Sequence, residues 1–134
     1  KLGVSLVSLE ELMSTADIIT VHARLLPSTE NLIDAKEIAM MKPTACLVNT
    51  ARAGLVNEEA LIEALKTGKI RGAALDVFKE EPLPDDHILH QLNNTVLTPH
   101  MAGNAGDVML LSVKMMMEEI VRYMSGEILA HQVV

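Results

Sequence analysis

The chain has 134 residues, enough for one domain with its own core. Hydrophobic residues make up 49% and charged residues 22%, a balance that excludes intrinsic disorder. The net charge of −7 comes without any run of basic residues, which argues against nucleic acid and anionic membrane as partners.

Val4–Val7 is a candidate short strand. Ser8-x-x-Glu11 then reads as a capping box that opens a helix over 9–15. Residues 17–22, DIITVH, form a continuous apolar strand ended by Leu-Pro-Ser. Asp34-x-x-Glu37 caps a second helix, which Lys42-Pro43 ends. Residues 45–49 are a second strand that stops at the corner Asn49-Thr50-Ala51-Arg52. Asn57 caps a helix through about Thr67, with Lys66 in its last turn and Gly68 at the stop. GAALDV, 72–77, is a third buried strand, and a polar, proline-rich loop over 79–94 separates it from a fourth, TVLTP. A long helix runs from about Asn104 to Ser125. There is no internal repeat. Apolar runs that alternate with helical patterns predict an α/β fold, a parallel sheet flanked by helices.

In such sheets ligands bind at the carboxyl ends of the strands. Arg52, Asp76, Glu81 and His100 all follow strand ends. An arginine can grip a substrate carboxylate by a bidentate, charge-assisted pair. A histidine can move a proton, and a carboxylate beside it fixes the tautomer and favours the charged ring. Together the three residue types suit reduction of a 2-keto acid.

The wording around these residues is similar to the D-isomer-specific 2-hydroxy-acid dehydrogenases. The resemblance is carried by ADIITVHARLLPSTENLI, NTARAGLVNEEALIEALKTGKIRGAALDVFKEEPLP and LTPHMAG, from about Leu2 to about Gly126. One departure is Arg24, where these proteins usually carry proline. The resemblance implies a Rossmann-like NAD-binding domain, with NADP not excluded, acting on a small 2-keto or 2-hydroxy acid. It assigns Arg52 to the substrate carboxylate, Glu81 to the partner carboxylate and His100 to acid/base work. Ala23, Thr50, Ala51, Arg52, Asp76, His100 and Gly103 would line the cofactor, with Asp76 on the nicotinamide amide. Family members dimerise through their cofactor domains, so a homodimer is expected. A non-catalytic, cofactor-sensing corepressor or scaffold of the same family is the alternative.

The seven glycines form no G-x-G-x-x-G, the fingerprint that opens the first βα unit of dinucleotide-binding domains. The expectation is therefore that residues 1–134 are an incomplete dinucleotide-binding domain, begun after that fingerprint and without a substrate domain. Such a catalytic half-domain would be inactive alone, and the inner edge of 17–22 would be an unpaired apolar strand that invites another chain.

Glu80 reads as solvated, and Asp76 needs a partner because a buried, unpaired carboxylate is costly. A backbone N–H is the structural alternative to nicotinamide there. His87 and His90 read as solvated loop residues, His22 as a structural histidine and His131 as part of an unpatterned tail. Cys46 reads as part of a buried strand, with no second cysteine to pair. No cluster has metal-ligand spacing, so no metal is expected. The methionines of the last helix, with VMLLSV, predict burial on several sides, against a second subunit or another domain. No apolar stretch reaches membrane-spanning length and no signal peptide is visible, which reads as soluble and cytoplasmic.

Overall fold

Helix starts are set by side-chain oxygens that take up free backbone N–H groups. In the computed structural model, which describes residues 3–132, Ser8 accepts from Glu11 N at 3.2 Å and opens α1, Leu9–Thr15. Asp34 opens α2, Ala35–Met40, with a reciprocal box in which Glu37 Oε2 accepts from Asp34 N at 3.2 Å. Asn57 opens α3, Glu58–Lys66, by accepting from Ala60 N at 3.1 Å. That helix ends as its sequence suggests. Gly68, at φ +67°, lets Lys69 N turn back to Ala64 O at 2.8 Å, while Gly68 N reaches Leu65 O at 3.3 Å.

Four parallel strands follow the expected order: β1 Ile18–Val21, β2 Cys46–Asn49, β3 Gly72–Leu75 and β4 Thr95–Leu97. They lie side by side as β1-β2-β3-β4. One face of the sheet carries Ile19, Val21, Leu47, Ala73 and Leu75, which form a single core with Met13 of α1, Ile38 of α2 and Leu61 and Leu65 of α3. The opposite face is more open, with Ile18 69% and Val96 64% exposed. Cys46 sits on that face and is half-buried rather than buried.

One expectation fails. Val4–Val7 is not a strand: its residues pair with nothing in the sheet, and Leu6 is fully exposed. An apolar run makes a strand only where a neighbour supplies its ladder. Leu2, where the resemblance starts, lies outside the described residues. The last helix, α4, Gly106–Met124, belongs to a separate compact unit that starts at Met101. None of its residues is buried within the chain, and Met109, Leu110, Leu111, Met116, Met117 and Val121 are apolar. Among the described residues its unit contains no second helix or strand. What the unit does contain is a return of the chain, held where Glu119 accepts from Ala130 N at 3.0 Å and from His131 N at 3.3 Å. No helix among the described residues is long and apolar enough to cross a membrane.

Candidate active site

The parallel register lines up Val21, Asn49, Leu75 and Leu97 in one row across the sheet. Asp76 N donates to Asn49 O, and Thr98 N to Leu75 O, each at 3.0 Å, which extends the ladder one residue further. His22, Thr50, Asp76 and Thr98 therefore form the next row, and every candidate residue of the first unit lies on it or just beyond it.

At the end of β2 the corner is organised by Asn49, whose side chain is buried. Its Nδ2 donates to Arg52 O at 2.9 Å and its Oδ1 accepts from Ala51 N at 3.1 Å. The three following residues are thereby wrapped around one amide, and Arg52 projects into solvent. Its guanidinium donates from Nη1 to Ala51 O at 2.6 Å, which leaves most of its donor fork for a ligand. Thr50 and Ala51, like Ala23 beyond β1, are small and half-buried.

Beyond β3 and β4 a carboxylate and an imidazole come together. Glu81 Oε1 accepts from Phe78 N at 2.9 Å, while Oε2 lies 2.8 Å from His100 Nδ1. The carboxyl of Glu81 is held below its ordinary value of 4.5, first by the imidazole and then by the Phe78 N–H. An ionised carboxylate only accepts hydrogen bonds, so Nδ1 carries the proton and Nε2 is the ring atom left for a ligand. His100 adopts φ 54°, a left-handed conformation uncommon outside glycine. Such backbone concentrates where the surroundings hold a side chain in place for function.

Asp76, 2% exposed, has Thr98 as one partner: Thr98 Oγ1 donates to its Oδ1. Thr98 was not singled out in the sequence, although counting along the parallel strands from Leu75 and Leu97 sets it opposite Asp76. His90, exposed as read, also lines a cavity of about 480 Å³ together with Glu81, Thr98 and His100. It stands on a 3-10 turn, Ile88–Gln91, that the polar composition of the loop hid. His87, likewise read as solvated, caps that turn by accepting from Leu89 N at 3.3 Å. His22 has a partner, with Nε2 2.9 Å from Thr20 Oγ1.

The structure thus brings Glu81 and His100 together and sets Thr98 against Asp76. Arg52 stands across β3 from β4 and is hydrogen-bonded to neither member of the pair. Gly103 lies in the second unit, in a turn ahead of α4, with no atom within 4 Å of where its Cβ would be.

Comparison with known proteins places these features. Residues 1–102 match the family described as "D-isomer specific 2-hydroxyacid dehydrogenase, NAD binding domain". A D-3-phosphoglycerate dehydrogenase of Methanocaldococcus jannaschii is 46% identical over 128 residues, which are 95% of this chain and 24% of that protein. Among solved structures, D-lactate dehydrogenase with NAD+ from Lactobacillus jensenii superposes with a TM-score of 0.87 at 32% identity, over 96% of this chain and 42% of that one. A D-isomer specific 2-hydroxyacid dehydrogenase from Xanthobacter autotrophicus Py2, in complex with NADPH and MES, gives 0.84 at 36% identity, over 94% of this chain and 51% of that one. The chain spans about a quarter of the length of that curated relative and about half or less of these solved chains.

Proposed function

This chain belongs to the D-isomer specific 2-hydroxyacid dehydrogenases, and on that premise we propose that it carries the proton donor and the carboxylate clamp for reduction of a 2-keto acid. The observation that carries the proposal is the 2.8 Å pair of His100 and Glu81 at the carboxyl end of a parallel sheet. Glu81, kept ionised, holds Nδ1–H and aims Nε2 outward. The charged imidazole then donates from Nε2 to the keto oxygen as that oxygen gains negative charge. Arg52 grips the substrate carboxylate through its free guanidinium donors. A preformed positive charge beside a developing alkoxide lowers the barrier without reorganisation at the moment of reaction.

The residues present suit a nicotinamide. Ala23, Thr50 and Ala51 are small and half-buried at the strand ends, where a bulkier side chain would fill the room a planar ring needs. Asp76, fixed by Thr98, is placed on the same row to accept from a carboxamide N–H. Arg52 and His100 complete the set that would line the group. NAD or NADP, when bound, supplies the hydride.

The test is steady-state reduction of a panel of 2-keto acids by the full-length protein. His100→Ala and Arg52→Ala should each lower kcat/KM by about 10²–10⁴-fold, with the far-ultraviolet circular dichroism unchanged. Near-normal turnover by His100→Ala would remove the proton donor from this mechanism. Absence of turnover by the wild type with every acid would favour a cofactor-sensing role.

A further inference from the structure

Beside the Glu81–His100 pair lies a cavity of about 480 Å³, within the range of sites that hold a small ligand whole, about 300–1,000 Å³. That is far more room than a keto carbon and its carboxylate need. Its walls are mostly apolar: Phe78, Pro82, Leu83, Leu97 and Pro99. The polar groups that share it are largely committed. Both Glu81 oxygens are bonded, one by Phe78 N and one by His100. The Thr98 hydroxyl is given to Asp76. Arg52 does not line the cavity, so the carboxylate end of a substrate has its clamp elsewhere.

The far wall is firmly held. Leu89, fully buried, anchors the 3-10 turn that carries His90, and Thr95 Oγ1 donates to Leu89 O and Leu92 O, each at 3.1 Å. A cavity with fixed walls discriminates by shape, whereas a mobile one would adapt to any occupant. The anion on its wall is Glu81, whose carboxyl is held below its ordinary value by its hydrogen bonds, and the chain carries a net charge of −7. A second anionic group on the substrate would have to meet that carboxylate with His90 as its one uncommitted side-chain partner.

We propose that this cavity is the side-chain subsite of the enzyme and that it selects 2-keto acids with an uncharged alkyl chain of several carbons beyond the keto carbon. The inference rests on the reading of His100 as proton donor and Arg52 as carboxylate clamp, and it adds to that reading the class of acid.

The experiment is a chain-length series with the full-length protein: glyoxylate, pyruvate, 2-ketobutyrate, 2-ketopentanoate and 2-ketohexanoate, with 2-ketoglutarate as the charged control. Transfer of a methylene from water is worth about 0.8 kcal/mol, so kcat/KM should rise about fourfold per carbon until the cavity is filled. 2-Ketoglutarate should fall below 2-ketopentanoate. Leu83→Trp, which fills the cavity from a loop position, should flatten the rise and cost 2-ketohexanoate more than glyoxylate. If that variant does not fold, the wild-type series alone decides. A flat or falling series with good turnover of glyoxylate or pyruvate overturns the subsite and leaves the catalytic reading standing. A preference for 2-ketoglutarate over its alkyl counterparts overturns it as well. Turnover of none of these acids overturns both.

Discussion

Gly72→Ala tests whether the approach of β3 to β4 sets the active-site geometry. A Cβ at Gly72 would lie 2.7 Å from Asn94 O, a backbone atom that cannot swing aside as the end of a side chain could. Ordinary contact starts at 3.4 Å, so the start of β4 must retreat by roughly 0.7 Å. The same carbonyl accepts from Ala73 N at 3.0 Å, and the retreat would carry this bond beyond useful range. A lost ladder bond or the equivalent strain costs about 1–3 kcal/mol. Urea unfolding should show this as a lower midpoint at unchanged slope. β4 leads directly to Thr98 and His100, so the shift also reaches the proposed proton donor, and a misplacement near 1 Å can cost about 10²-fold in rate. We expect kcat/KM to fall between about 10- and 100-fold. Gly106→Ala, with nothing within 4 Å of its Cβ, is the control and should stay within about 0.5 kcal/mol. A Gly72→Ala protein with wild-type midpoint and turnover would refute the close-approach reasoning. One that is destabilised but fully active would refute its link to the site.

Three other outcomes are expected. Glu81 has a folded-state carboxyl held below its ordinary value of 4.5, so the stability it adds is present above that value and disappears as pH falls through the lowered one. Wild type and Glu81→Gln should therefore differ in unfolding midpoint at neutral pH and converge under acid; a gap that stays constant down to pH of about 2 would contradict this. Thr98→Val takes from the buried Asp76 carboxylate one of its donors and should cost about 1–3 kcal/mol. In a double-mutant cycle with Asp76→Ala the two losses should be non-additive, and additivity would separate the residues. Leu47→Ala, at 0% exposure in the central strand, should cost about 2–5 kcal/mol by thermal or urea unfolding. Ile18→Ala, 69% exposed, should cost within about 0.5 kcal/mol, and equal losses at the two positions would contradict the assignment of faces.

The sequence was most legible where the physics is local. Asp34 with Glu37, and Asn57 with Gly68, mark helix ends by chemistry confined to a few neighbouring residues, and all four act as read. Strands whose partners lie within the chain were also legible, down to the corner that carries Arg52. Val4–Val7 failed because strand formation depends on a neighbour that composition does not report. For α4 the same limit holds: apolar content says what a helix can bury and nothing about what covers it. At the site, the choice of Glu81 over Glu80 as partner of His100 agrees with the geometry. Thr98 and His90 escaped because their roles come from register and from a turn hidden in a polar loop. Neither leaves a periodic signature.

Asn49 gives the chain a vulnerable point in time as well as in space. Hydrolysis of its amide to a carboxylate, a slow chemical change in any asparagine, would replace the donor that now faces Arg52 O at 2.9 Å with an acceptor. Two oxygens would then repel one another at the root of the substrate clamp, and the corner would have to open. The folded state protects against this by holding both ends of the amide and excluding water from it. Ageing at Asn49 therefore proceeds through molecules in which the corner has momentarily opened, at a pace set by local stability rather than by the intrinsic reactivity of the amide. The lifetime of this corner is in this way tied to how often one three-residue turn unfastens.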